Sequence, residues 1–272
     1  MEKARDYTKK IVGLLLKPEM RILPGNLAFF IVLTIIPMVA LLVTLAAALS
    51  ISTDSIYIAI AAVLPKEVTN LINSIIVGNG INFNIIVFYF SAFILASNGS
   101  YSMINVSNEI YKTKPNNIIA RRLKSVIMTF ILVGLFLFLI IFPVFGNIVR
   151  DIINEITKTN TIMNIIQNMI IILKYPLVLL ILYLNIKLMY IIAPDEDIPN
   201  YSVSKGALFT SIGWVLSTEI FSFYVDEFAR YDLFYGSISN ILVLLLWVYL
   251  LSYIFVLGMI INASNYKNEQ LL

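Results

Sequence analysis

The chain has 272 residues, 60% of them hydrophobic and 13% charged, against roughly 45–50% apolar and 25% charged in soluble domains. That balance excludes an ordinary soluble globule and describes a polytopic membrane protein. With no Cys and no His, structural zinc, thiolate catalysis and imidazole general bases are excluded as well, and the net charge of +3 reads as a topology signal, not a nucleic-acid footprint.

The first 25 residues form a basic arm. Ala4, Tyr7, Ile11, Leu14 and Leu15 recur at helical spacing opposite Lys3, Lys9, Lys10 and Lys17, the pattern of a helix lying on an anionic leaflet. A hydrocarbon core needs roughly 20 apolar residues of helix. Six segments meet that need, near 26–50, 83–107, 125–149, 170–193, 203–226 and 238–264. Basic residues sit before the first segment and after the second, where Lys112, Lys114, Arg121, Arg122 and Lys124 cluster. Both places are therefore expected in the cytoplasm, and both termini with them. Between the first two segments, 65–77 has Pro at its first turn, Gly at its stop, and Leu64, Val68, Leu71, Ile72 and Ile75 on one face. That predicts a second interfacial helix, on the outer side.

The second segment has a polar stripe. Ser91, Asn98, Ser102, Asn105 and Glu109 follow one another at spacings of seven, four, three and four, which confines them to a narrow sector of a helix. Such a stripe walls a cavity open to the cytoplasm, or else hydrogen-bonds to a neighbouring helix.

In the fifth segment, Gly206, Thr210, Gly213 and Ser217 form a small-residue ridge for close helix approach. Glu219 lies on the opposite face, with Leu208, Val215, Ser222 and Asp226. It is seven residues, about 10 Å of helix, from Asp226. A carboxylate at that depth must be paired, protonated or in contact with water, which makes it a functional candidate. Lys174, in the fourth segment, is a partner within reach; a structural ion pair, or a protonated Glu219 bonded to a Tyr or Ser of the sixth segment, is the plainer alternative. In the sixth segment Asn240, Trp247, Leu251, Gly258 and Asn262 share a face that reads as a packing seam.

The C-terminal third, SKGALFTSIGWVLSTEIFSFYV, then YGSIS, then LLLWVYLLSYIFVLGMIINA, resembles the YihY/BrkB family of bacterial inner-membrane proteins. LAFFIVLTIIPMV and SNGSYSMINVSNEIY fit the same family pattern. The resemblance implies six transmembrane helices, an inner-membrane location and a role in envelope integrity, with movement of a lipid or other amphiphile suspected. A ribonuclease label also attaches to the family, but the chain has no His and no acidic cluster at metal-ligand spacing to support it. One departure stands out. Where the family has Glu in its closing motif, this chain has Ile260.

The expected architecture is thus all-α, with six transmembrane helices and two interfacial ones. The basic arm covers 1–25, one transmembrane domain 26–266 and a cytoplasmic tail 267–272. The first functional expectation is transport or flipping of an amphipathic, lipidic substrate through a cavity walled by the second, fifth and sixth helices. Ser91, Asn98, Ser102 and Asn105 line its path, and Glu219 with Lys174 forms an outer gate. Gly213, Ser217, Trp247, Gly258 and Asn262 serve packing or the pathway. The alternative is a non-transporting envelope scaffold. An enzyme ranks last, since it would need paired groups at one depth. Membrane lipids are the expected partners; no nucleic acid, metal or cofactor is expected.

Overall fold

A computed structural model describes residues 13, 18–48, 66, 68–70, 85–114, 117–135, 160–227, 231 and 235–270, with backbone alone at 36–48, 85–90, 92, 160–175, 237 and 267–270. Among the described residues all regular structure is helical, with no strand. The helices are α1 (Glu19–Ala48), α2 (Ile85–Tyr111), α3 (described over 118–135), α4 (Asn160–Ile192), α5 (Ser204–Glu227) and α6 (Ser239–Gln270).

Two boundaries differ from the apolar runs. The first apolar segment is expected from 26, yet α1 starts at Glu19 and runs through Pro24 and Gly25. Pro24 falls in the second turn, where its missing N–H breaks one hydrogen bond only, and Arg21 N–H already closes the first turn on the Pro18 carbonyl (3.1 Å). Likewise α4 begins ten residues before the expected 170 and encloses Pro176. Most of the outer interfacial helix lies outside the described residues. Its described residues, 66 and 68–70, are helical, with Val68 fully buried and Lys66 bonded to Asp226 at 3.3 Å. Of the basic N-terminal arm expected over 1–25, residues 1–12 and 14–17 lie outside them too, and 19–25 belong to α1.

α1 packs against α2 and α6, α5 packs against α6 and α4, and α2 touches α6. The main core gathers Met103 and Ile104 of α2, Met189 and Tyr190 of α4, Ala207 of α5, and Phe255, Met259 and Ile260 of α6. Ile260, where the family pattern has Glu, is buried in that apolar core. A smaller core joins Ala28, Val68, Val225, Val243, Leu244 and Val248. Outside these, Phe29, Leu33, Phe130, Leu216, Ile220 and Phe223 stand exposed, an apolar outer surface suited to lipid and not to water. Among the described residues α5 and Ser239–Tyr266 of α6 are long and apolar enough to span a membrane.

Candidate functional site

The seam between α5 and α6 leaves no room for a ligand. A Cβ on Gly206 would collide with the Gly258 carbonyl and the Asn262 amide, and one on Gly258 would meet Thr210 Oγ1 and Tyr190 OH. One on Gly213 would stand 2.8 Å from Ile254. Backbones this close are possible only without side chains. Asn262 Oδ1 accepts the Gly206 N–H (2.7 Å), and Trp214 Nε1 donates to the Leu251 carbonyl (2.9 Å). Trp247 Nε1 donates to Thr218 Oγ1 (3.2 Å), and Tyr190 OH donates to the Phe255 carbonyl (2.7 Å). Ser217 is half-buried one turn beyond Gly213. Glu219, on the far side of α5, is exposed among Leu216, Ile220 and Phe223. Lys174 lies in α4 with its side chain outside the described residues.

The polar stripe of α2 faces elsewhere. Its small residues first admit two neighbours: a Cβ on Gly99 would be 3.0 Å from Thr34 Oγ1 of α1, and Ser100 shares a 2.9 Å hydrogen bond with Thr129 of α3. Below that, α3 supplies cations. Arg122 donates to Asn98 Oδ1 (2.9 Å) and Arg121 to Asn105 Oδ1 (3.1 Å), while both guanidinium groups lie over the Tyr101 ring at 5.5 and 5.8 Å. Ser102 is buried, and Ser91 is exposed near the other end of the helix.

The stripe ends at a buried carboxylate that the sequence did not single out. Asp195, 1% exposed at its side chain, follows α4 in the turn Pro194–Pro199. Lys124 Nζ bonds its Oδ1 (3.1 Å) and the Pro194 carbonyl (2.6 Å), and Asn108 Nδ2 bonds its Oδ2 (2.8 Å). Asn108 Oδ1 returns the contact by accepting the Asp195 N–H (2.8 Å), and Arg121 Nε stands 3.9 Å from Oδ2, near enough for ionic attraction but not for a hydrogen bond. One acid therefore ties the ends of α2, α3 and α4. Two prolines bracketing an acidic triplet, PDEDIP, were its only sequence signal. Next to it Tyr266 OH donates to Glu196 (2.9 Å) and meets Tyr111 edge-on. Tyr111 lies one turn past the expected second span. Burial, with Tyr266 and Glu196 adjoining, holds its phenol well above the ordinary range, and its hydroxyl has no partner among the described residues.

Beside this network lies a groove of about 520 Å³ between the start of α1 and the end of α2. Ile22, Leu23 and Val106 give it an apolar side; Glu19, Asn26, Asn105, Glu109 and Lys112 give it a polar one. The expected cavity was among the second, fifth and sixth helices, but α5 and α6 close on each other there, and the groove lies on the α1 side of α2. Asn105 and Glu109 of the stripe reach it; Ser91, Asn98 and Ser102 are not among its lining residues. The α2 terminus shapes its floor. Thr113 N–H bonds the Asn108 carbonyl (3.1 Å), which places Lys112 in the left-handed region at φ 58°. A groove with one apolar and one polar wall can hold a molecule built the same way.

Residues 17–271 match the family model described as virulence factor BrkB. A relative from Bacillus subtilis, named putative ribonuclease-like protein YfkH, is 33% identical over 255 residues, 91% of this chain and 90% of the relative. A UPF0761 membrane protein of Idiomarina loihiensis is 29% identical over 30% of each chain, and one from Chromobacterium violaceum is 35% identical over 30% of this chain and 19% of its own. No solved structure matches the chain.

Proposed function

The chain belongs to the virulence factor BrkB family of membrane proteins, and from that premise we propose that it binds and moves a lipid or similar amphiphile across the cytoplasmic membrane, and is not an enzyme. In this reading it has six spans with both termini in the cytoplasm, and supports envelope integrity. The observation that carries the reading is the two-sided groove of about 520 Å³ between α1 and α2, apolar at Ile22, Leu23 and Val106 and polar at Asn105 and Glu109. A polar headgroup would rest on the stripe while its chains lie along α1. Glu219 with Lys174 remains the proposed outer gate, since Glu219 faces away from the closed α5–α6 seam.

A specific observation favours a second reading, a scaffold: Asn98 and Asn105 already accept hydrogen bonds from Arg122 and Arg121, so the stripe serves as a latch between α2 and α3. Reconstituted vesicles with a fluorescent lipid in one leaflet separate the two. Transport predicts lipid exchange that Asn105→Leu slows while the thermal midpoint stays near wild type, because losing an exposed hydrogen bond costs about 1 kcal/mol. A chain that exchanges no lipid leaves the scaffold. Glu219→Gln is expected to shift the pH profile of exchange, and an unaltered profile removes Glu219 from the gate.

A further inference from the structure

The groove's charges identify the kind of headgroup it takes, provided that the lipid reading above holds. Its rim sets two carboxylates, Glu19 and Glu109, against one ammonium, Lys112. Arg21, two residues from Glu19, is not among the residues lining the groove, and Arg121 is turned to Asn105 and Asp195. Glu19 sits in the first turn of α1, where the helix dipole favours an acid. That accounts for its charge but not for its geometry: Glu19 Oε2 is buried and has no hydrogen-bond partner among the described residues. A carboxylate oxygen removed from water without a donor is costly, and a ligand that donates relieves the cost. Lys112 stands exposed at the groove mouth, in the turn that ends α2.

We propose that the groove binds a lipid whose headgroup bears an ammonium, held by Glu19 and Glu109, with its phosphate beside Lys112. An ammonium has three donors and no acceptor, the complement of two carboxylates. An anionic headgroup would meet those carboxylates with like charge. A free amine has no use for the wall of Ile22, Leu23 and Val106, of which Ile22 is 71% exposed.

The test is native mass spectrometry of the full chain in micelles with an equal mixture of phosphatidylethanolamine and phosphatidylglycerol of matched acyl chains. Wild type is expected to retain the ethanolamine lipid about threefold to tenfold over the glycerol lipid, the range that a partly screened ion pair supplies. Glu19→Gln and Glu109→Gln should each move the ratio toward parity, whereas Glu227→Gln, at the far end of α5, should leave it. Thermal midpoints control for folding, and Glu109 is exposed, so its variant isolates charge from packing. Retained lipid with no preference, or with the glycerol lipid preferred, overturns the headgroup assignment alone. Wild type that retains no lipid overturns the lipid reading too. Displacement by equimolar soluble glycerophosphoethanolamine overturns the lipid as the source of the ammonium.

Discussion

Asp195 is the residue whose loss the protein should feel most. Its carboxylate balances Lys124 and stands against Arg121 while almost fully buried, so Asp195→Ala leaves cations without their counter-charge. The expected cost is about 2–4 kcal/mol, somewhat under that of a fully enclosed pair, because Lys124 keeps 28% exposure. Chemical unfolding in mild detergent measures it, and a loss below about 1 kcal/mol would show the network to be peripheral. Tyr111 gives a pH signature. Its phenol is held above its unfolded value of about 10, so the folded chain keeps a proton that the unfolded chain releases, and stability falls as pH rises beyond that value. Tyr111→Phe should remove this share of the alkaline loss and leave stability at neutral pH equal or slightly higher, since the hydroxyl is buried without a partner. Thermal midpoints between pH 8 and 11, variant against wild type, give the comparison. At Lys112, glycine relieves about 1–2 kcal/mol of left-handed strain and returns about 0.5–1 as entropy of the unfolded chain. Lys112→Gly is therefore expected to be stable but impaired, and full lipid retention by it would remove the lysine from the groove.

Among the elements, α5 and α6 depend most on having no side chain at chosen positions. Gly258→Ala drives a methyl into Thr210 and Tyr190, and Gly206→Ala drives one into the opposing backbone. Each should cost about 1–3 kcal/mol or prevent accumulation of the folded chain, whereas Gly134→Ala, with nothing within 4 Å of the added carbon, should cost nothing. Membrane expression level and thermal midpoint check both. This seam was legible in the sequence because spacing alone puts Gly206, Thr210 and Gly213 on one face, and Gly258 and Asn262 on one face of the next helix. The acidic turn was not legible. Asp195 meets Asn108 across 87 residues and Lys124 across 71, and no local period records a pairing that only the packed bundle creates. Spacing puts the stripe of α2 on one face, but which of its residues a neighbouring arginine occupies depends on the register of α3. The groove lies between α1 and α2 and not among α2, α5 and α6 for the same reason: small-residue ridges predict contact, and contact between α5 and α6 closes the space.

For the whole molecule, the chain supplies its own background-free test of topology, since it contains no Cys. Single substitutions Lys114→Cys, in the exposed turn after α2, and Glu227→Cys, at the end of α5, place one thiol at each end of the bundle. The proposed orientation predicts that an impermeant maleimide added to intact cells labels the second alone and reaches the first only after lysis; the reverse pattern would invert the orientation. The Asp195 knot also bears on how such a molecule is made. In the proposed topology α2 and α3 enter the membrane as a hairpin with Arg121, Arg122 and Lys124 in the first turns of α3, and the acid that neutralises Lys124 is synthesised 71 residues later. On that orientation those charges hold the hairpin's inner ends at the cytoplasmic surface until Asp195 arrives and converts a transient anchor into a permanent clasp.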